Sequence, residues 1–167
     1  MSKKEIMIYE YIQLSPSEVP LLKKLLNIFG KAFNEEATYG DAIPSDDYLR
    51  SLLSKSYFIA LVTMDAEEVV GGLAAYVLEK FEQDRREIYI YDLAVTEQYR
   101  RKGIATKLIH KLKEIGKERD AYVIYVQADY GDDPAIWLYE SLGIREEVLH
   151  FDIAIDTSIK HKGSDSV

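Results

Sequence analysis

A short run of basic and small residues, RRKGIA at 100–105, could bind a phosphorylated ligand. It follows an apolar, strand-like segment at 88–95 and opens an amphipathic helix, whose first backbone N–H groups have no intrahelical partner and lie at the positive end of the helix dipole. Gly103 lets the main chain approach a ligand closely, and the small Ala105 keeps the helix tight against it. The basic residues of the run are Arg100, Arg101 and Lys102. The run therefore predicts a cradle for a pyrophosphate, although the P-loop and dinucleotide-binding glycine motifs are both absent.

Acidic residues gather in two loops, where they could bind a cationic ligand or accept a proton. One loop, at 128–133, follows a strand-like segment and contains three aspartates. Asp133 precedes Pro134 and is predicted to be the N-cap of the next helix, whereas Asp129 and Asp132 have no such structural reason. The acidic residues of the other loop are Glu35, Glu36 and Asp41. That loop is equally consistent with a solvated acidic surface.

The hydrophobic periodicity predicts a single domain over 1–158, followed by a polar tail at 159–167. The predicted strands are 6–14, 57–63, 69–78, 87–95, 121–129 and 147–155. The predicted helices are 19–33, 48–56, the segment after Arg100, and 135–142. This order places the basic run after the fourth strand and the three aspartates after the fifth.

The composition argues against several classes of protein. The 167 residues include no cysteine, which excludes disulfides, thiolate nucleophiles and cysteine metal ligands. The three histidines show no ligand spacing, so no metal is expected. The net charge of −8 argues against a nucleic-acid partner. No apolar run is long enough to cross a membrane, and a cytoplasmic location is expected.

The pattern Arg100-x-x-Gly103-x-Ala105 after a strand resembles the acetyl-CoA signature of the GNAT N-acetyltransferase superfamily. The resemblance implies an α/β (α+β) fold, with a GNAT-like mixed, mostly antiparallel central sheet, helices on both faces, and a splay between strands four and five. Acetyl-CoA would enter that splay as co-substrate, with its pantetheine arm held by the main chain of Leu93, Ala94 and Val95 like an added strand. Its remaining binding residues would be Arg100, Arg101, Lys102, Gly103, Ile104, Ala105 and Thr106.

A narrower resemblance extends over roughly residues 25–153 and includes loops as well as core segments. The segments YIYDLAV at 89–95 and AYVIYVQADYGDDPAIWLYESLGIREEVLHFDI at 121–153 look like those of the aminoglycoside 3-N-acetyltransferases of the gentamicin acetyltransferase type. That family would transfer an acetyl group from acetyl-CoA to the 3-amino group of an aminoglycoside, by direct attack of the amine on the thioester, and so confer antibiotic resistance.

The resemblance also implies roles for individual residues. Tyr139, in YESLG at 139–143, stands where the superfamily places the general acid that protonates the leaving thiolate. It also fits a helical stripe of core residues, so a purely structural role stays open. The backbone N–H of Leu93 or Ala94 would bind the thioester oxygen. Asp129 is the predicted base.

The acceptor would be held by acidic and aromatic side chains. Asp132 is predicted to bind a substrate ammonium group, and Tyr91, like Tyr89, is expected to form a wall of the pocket. Asp92 lies on the opposite pleat of the strand from these tyrosines unless a bulge turns it, so its role is open. Further predicted acceptor-binding residues are Asp133, Glu35, Glu36 and Asp152.

Two other functions remain open at this point. The same cofactor could serve a polyamine, another small amine or a protein amine, which an acidic loop suits equally well. Alternatively, the chain could bind acyl-CoA as a sensor without turnover. A homodimer is possible through the last strand.

Overall fold

The computed structural model describes residues 9–155. The chain divides into two compact units, Met1–Asp129 and Tyr130–Val167. Among the described residues, the first unit contains a sheet and three α-helices, and the second contains one α-helix.

The first unit is built on a five-stranded sheet in the order β1-β2-β3-β4-β5. Its strands are β1 Glu10–Gln13, β2 Phe58–Asp65, β3 Glu68–Glu79, β4 Arg86–Val95 and β5 Ala121–Val126. Neighbours from β1 to β4 run antiparallel, whereas β4 and β5 run parallel. The predicted mixed, mostly antiparallel sheet is confirmed. Residues 6–8 of the first predicted strand lie outside the described residues.

Helices cover both faces of this sheet. They are α1 Val19–Phe33, α2 Asp46–Leu53 and α3 Ile104–Glu118. The first two pack on the face that contains Phe58, Ala60 and Val62. On the opposite face, α3 lies so close that a Cβ at Gly116 would be 3.2 Å from Ile88 Cδ1. The predicted helices on both faces are confirmed, because apolar side chains at helical spacing must be buried against a sheet.

A bulge interrupts the regular alternation of β4. Ala74 of β3 pairs with Asp92, but the next residue, Ala75, pairs with Ile90, so Tyr91 is the extra residue. Ala74 packs with the α1 and α2 cluster. The bulge therefore turns Asp92 onto the face of the sheet that α1 and α2 cover, where it shares a side with Tyr89.

The last pair between β4 and β5 is Ile90 with Val126. Beyond it β4 continues to Val95, whereas β5 ends. The predicted splay between the fourth and fifth strands is therefore confirmed. Residues 91–95 have no β5 partner, so this edge of β4 is open to a ligand. The exception is the Val95 carbonyl, which accepts a hydrogen bond from Arg100.

In the second unit, the described residues form helix α4, Asp133–Glu140, followed by an irregular segment. The helix begins two residues before the predicted start. Residues 147–155 form neither helix nor strand, so the predicted last strand was wrong. A strand depends on a neighbouring strand for its hydrogen bonds, which an alternating apolar pattern cannot itself supply. Within residues 9–155, no helix is long and apolar enough to cross a lipid bilayer.

Candidate active site

The start of α3 has the geometry of an anion cradle. Gly103 is the N-cap and adopts the left-handed conformation, with φ of 78°. In the described part of the chain, no heavy atom lies within 4 Å of the position that a Cβ at Gly103 would occupy. The first N–H groups of α3 are thus approachable from the side where a phosphate would bind, which fits the predicted pyrophosphate of acetyl-CoA.

The three basic residues before Gly103 have different surroundings. The Nε of Arg100 donates to the carbonyl oxygen of Val95 at 3.0 Å and so joins the cradle to the end of β4. Arg101 is exposed and has a positive φ of 63°. Lys102 Nζ lies 4.7 Å from the centre of the Tyr99 ring, a cation–π contact. Arg100 therefore has a structural task in addition to the predicted cofactor contact.

The residues predicted to hold the pantetheine arm lie in the splayed part of β4. Ala94 and Val95 are buried and Leu93 is half-buried, so their side chains belong to the core. Their main chain pairs with β3 on one side and has no β5 partner on the other. This arrangement fits an extended ligand that pairs with the strand edge. The other predicted cofactor residues, Ile104, Ala105 and Thr106, form the first turn of α3.

The bulge brings Asp92 into a cluster of polar side chains. The hydroxyl of Tyr39 donates to Asp92 Oδ2 at 3.1 Å. Burial raises the pKa of Asp92 above its ordinary value, and the nearby Glu35 carboxylate raises it further, while the Tyr39 hydrogen bond lowers it. A half-buried carboxylate with a raised pKa, at the start of the splayed segment, is suited to accept a proton.

The acidic residues of the loop after α1 lie in two different places. Glu35 contributes to the electrostatics of Asp92. Glu36 and Asp41 instead line a separate cavity of about 280 Å³ at the end of α1. Of the three acids, Glu35 is the one that the structure brings to the polar cluster around Asp92.

Tyrosines form a wall beside Asp92. Tyr91 is 61% exposed and its ring contacts those of Tyr76 and Tyr89 at centroid distances of 5.9 and 5.8 Å. Tyr89 in turn stacks on Tyr125 at 4.9 Å. An open cavity of about 940 Å³ is bordered by Tyr76, Tyr89 and Tyr91 and, toward the start of β4, by charged residues of both signs: Glu79, Arg86, Glu118, Arg119 and Asp120. The tyrosine rings suit a ligand that has ring-shaped apolar faces and carries cationic groups.

In the second unit, Tyr139 lies near the end of α4. Burial raises its pKa to about 12, with a smaller contribution from the Asp132 carboxylate. The phenol therefore stays protonated at neutral pH. This is the state that a general acid needs before it donates its proton.

Asp132, rather than Asp133, is the N-cap of α4. Its carboxylate accepts a hydrogen bond from the backbone N–H of Ala135 at 3.3 Å. The prediction that Asp133 is the cap was wrong, because the helix begins at Asp133 itself and Pro134 is its second residue. Asp132 thus has the capping role that the sequence analysis assigned to Asp133.

The two remaining predicted carboxylates have less defined surroundings. Asp129 is exposed in the irregular segment after β5, at the end of the first unit. Asp152 is exposed in the second unit, where His150 Nε2 lies 3.1 Å from its Oδ1.

Sequence reasoning left Asp92 open and did not consider Tyr39. A signal for Asp92 exists, since it is an acidic residue within an otherwise apolar and aromatic strand. For Tyr39 there is none, because its partner is 53 residues away in the sequence.

The chain is similar to a known family and to solved structures. The family model for acetyltransferases (GNAT) matches residues 22–144. An aminoglycoside acetyltransferase from an uncultured soil metagenomic sample is 58% identical, with a TM-score of 0.88 over 90% of this chain and 100% of that one. A second aminoglycoside acetyltransferase from such a sample, in complex with sisomicin, is 31% identical, with a TM-score of 0.82 over 89% of this chain and 97% of that one.

Curated relatives match over part of their length. The N-alpha-acetyltransferase of Saccharolobus solfataricus is 39% identical over 98 residues, which are 54% of this chain and 57% of the relative. The chloroplastic GCN5-related N-acetyltransferase 4 of Arabidopsis thaliana is 30% identical over 130 residues, 72% of this chain and 41% of the relative. This chain therefore spans only about half the length of these two relatives.

Proposed function

Because the chain belongs to the GNAT acetyltransferase family, we propose that it transfers an acetyl group from acetyl-CoA to the 3-amino group of aminoglycosides and so confers resistance to them. The observation that carries the acceptor assignment is the 58% identity to an aminoglycoside acetyltransferase along 90% of the chain. The tyrosine wall and the Glu35 carboxylate beside Asp92 support it, because aminoglycosides are polycationic and built from sugar rings. The choice of the 3-amino group rests on the sequence resemblance.

Acetyl-CoA supplies the activated acetyl group as a thioester, and the protein would assist its transfer with a base, an oxyanion donor and an acid. Asp92 accepts a proton from the acceptor ammonium, and Asp129 is the second choice for this role. The free amine attacks the acetyl carbon, and the developing oxyanion is held by the backbone N–H of Leu93 or Ala94. The carbon–sulfur bond then breaks, and the leaving thiolate takes its proton from the Tyr139 hydroxyl. The acetylated nitrogen loses its extra proton as the amide forms, and a proton returned through solvent restores the Tyr139 phenol.

The other predicted residues hold the two substrates. The main chain of Val95, together with residues 100–106, binds the cofactor arm and its pyrophosphate. Carboxylates bind the ammonium groups of the acceptor, and the rings of the acceptor pack on Tyr91. The carboxylates assigned to the acceptor are Glu35, Glu36, Asp132, Asp133 and Asp152.

The domain organisation and cellular setting belong to the same proposal. Residues 1–158 would act as one acetyltransferase domain, which the family match supports because it crosses the boundary between the two compact units. We place the protein in the cytoplasm, without a nucleic-acid partner. A homodimer would have to form through a surface other than the predicted last strand, because residues 147–155 form no strand.

A second candidate function is acetylation of a peptide α-amine. The observation in its favour is the similarity to N-alpha-acetyltransferases, at 39% identity over 98 residues. A polyamine acceptor would fit the acidic loop equally well.

One assay separates these acceptors. Free thiol released from acetyl-CoA is measured in parallel with sisomicin, spermidine, a short peptide with a free N-terminus, and no acceptor. We expect release with sisomicin, and NMR of the product then locates the acetyl group on a particular nitrogen. Release with spermidine or the peptide alone would replace the aminoglycoside with that acceptor.

The same assay on Tyr139→Phe tests the chemistry. We expect the rate to fall by ~10²–10⁴-fold without vanishing, because general acid help is lost while substrate positioning remains. CoA binding by the variant, followed by calorimetry, should match the wild type. Bound CoA without turnover by the wild-type protein, with any of the amines, would favour the sensor function.

A further inference from the structure

Tyr39 is held in a fixed position between α1 and α2. It lies in a single π-helical turn, Ala37–Asp41. Its ring contacts Phe29 and Phe33 of α1 at centroid distances of 6.0 and 5.9 Å. The turn approaches α1 closely, since a Cβ at Gly30 would lie 3.2 Å from Tyr39 Cβ. Contact with these two rings of α1 restricts the Tyr39 ring, so its hydroxyl has a defined location.

That location is next to Asp92, which the bulge in β4 has turned toward the same side of the sheet. The Tyr39 hydroxyl donates to Oδ2 of Asp92, so the other oxygen, Oδ1, is the one that would accept a proton from a substrate. The hydrogen bond joins the turn between α1 and α2 to the splayed strand. A carboxylate held through one oxygen presents the other in a constant direction.

We propose that Tyr39 is a positioning residue for acetyl transfer, which orients the Asp92 carboxylate through the hydrogen bond to Oδ2. This inference rests on the proposed role of Asp92 as the base. Tyr39 makes no contact with the reacting atoms in this role and acts through Asp92 alone.

The same loop contains a second group that acts on Asp92 in the opposite direction. Among the described residues, the titratable groups that interact electrostatically with Asp92 are Tyr39 and Glu35 from the loop, Tyr76 from β3 and Tyr89 from β4. The neighbouring Tyr91 belongs to the same tyrosine wall. The Tyr39 hydrogen bond stabilises the charged carboxylate and lowers the pKa of Asp92, whereas the Glu35 charge raises it. Burial is the largest cause of the raised pKa of Asp92, and the two loop residues adjust that pKa in opposite directions.

Two loop variants should shift the acidic limb of the pH–rate profile in opposite directions. Tyr39→Phe keeps the ring and its packing but removes the hydrogen bond, so the pKa of Asp92 rises and the acidic limb of kcat/KM moves to higher pH. Glu35→Gln removes a negative charge, so the pKa of Asp92 falls and the limb moves to lower pH. On the plateau above the limb, we expect Tyr39→Phe to lose about tenfold in kcat with little change in KM, because a hydrogen bond to a charged group is lost.

A matched control is Tyr122→Phe. Tyr122 also donates its hydroxyl to a carboxylate, that of Glu87, but this pair lies near the other end of β4. The control variant should retain the wild-type profile.

The pKa of Asp92 is measured separately by ¹³C NMR of its carboxyl carbon, with the resonance assigned through Asp92→Asn. Parallel shifts of this pKa and of the acidic limb, in opposite directions for the two variants, would support the inference. An unchanged pKa of Asp92 in Tyr39→Phe would overturn it. A shifted pKa with an unmoved limb would also overturn it and would transfer the role of base to another group, such as Asp129. If no amine is acetylated at all, the proposed function fails, whereas the titration still reports whether the pair exists.

Discussion

At the scale of single residues, the surroundings of a carboxylate decide its role in this protein. Asp92 interacts with Tyr39 and Asp132 with Tyr139, but the two carboxylates accept hydrogen bonds from different kinds of donor. Asp92 is half-buried and accepts its hydrogen bond from a side chain, so its charge is available to a substrate. Asp132 is bonded to a backbone N–H at a helix start, where a negative charge stabilises the helix.

Asp132→Asn should lower the pKa of Tyr139. The Asp132 charge raises that pKa, and asparagine retains a cap acceptor for Ala135 while removing the charge. Burial is the larger cause, so the pKa of Tyr139 should stay above the ordinary value of a phenol. The alkaline limb of the pH–rate profile, where the phenol loses its proton, should therefore move to lower pH.

Ring ¹³C NMR measures this pKa, with the Tyr139 resonance assigned through Tyr139→Phe. Asp133→Asn is the matched control, because Asp133 is the next residue and contributes no resolved shift to Tyr139. A rise in the pKa of Tyr139 in Asp132→Asn, or an equal fall in both variants, would contradict the assigned cause.

At the scale of elements, the junction between β4 and α3 combines three local features. The bulge at Tyr91 turns Asp92, the splay leaves residues 91–95 without a β5 partner, and Gly103 starts the helix in a left-handed conformation. Arg100 binds the two elements together through the Val95 carbonyl. A carboxylate, an open strand edge and a helix N-terminus thus follow one another along a single stretch of chain.

Gly103→Ala should weaken CoA binding and destabilise the fold. An L-residue with φ near 78° costs roughly 1–2 kcal/mol, and the new methyl group would stand in the open space over the first turn of α3. We expect the free energy of unfolding in urea to fall by about 1 kcal/mol and the Kd for CoA, measured by calorimetry, to rise about tenfold or more.

The control for this substitution is Gly40→Ala. Gly40 likewise has no atom within 4 Å of a Cβ position among the described residues, but its φ is not positive. Its unfolding free energy should change by no more than about 0.5 kcal/mol. If Gly103→Ala left the Kd for CoA unaltered, the start of α3 would not be part of the cofactor site.

At the scale of the whole molecule, the net charge of −8 adds a long-range attraction to the local carboxylates. A polycationic acceptor is attracted by this field before it reaches the site. In the proposed reaction acetyl-CoA is an anion, and it would be bound against this field by the basic run Arg100, Arg101 and Lys102 at the start of α3.

The KM for a polycationic acceptor should therefore rise with ionic strength. Between about 0.05 and about 0.5 M NaCl, salt screening shortens the reach of exposed charges, and we expect KM for sisomicin to increase several-fold with a smaller change in kcat. Steady-state kinetics with saturating acetyl-CoA measures this. A monoamine acceptor should respond much less, and equal responses of both acceptors would argue against electrostatic attraction of the substrate.

The sequence by itself determined the features that depend on local conformation and periodicity. Helices α1 and α3 follow from apolar residues such as Leu25 and Leu108 at helical spacing, and each is buried as expected. The position of Gly103 at a helix start follows from its lack of a side chain. The element order predicted a mixed sheet with helices on its faces, whereas the splay between β4 and β5, which run parallel, was implied by the resemblance to the GNAT superfamily.

Only the tertiary structure decided the features that depend on pairing between distant segments. The bulge that turns Asp92 is a matter of register against β3, and the Tyr39 contact joins residues far apart in the chain. The segment 147–155 has the alternation of a strand but no strand geometry, since a ladder needs a neighbour. The cap role fell to Asp132 rather than Asp133 because the N-cap of α4 lies one residue earlier than predicted. Local patterns specify the conformations that a segment prefers, whereas its partners are chosen by packing of the whole chain.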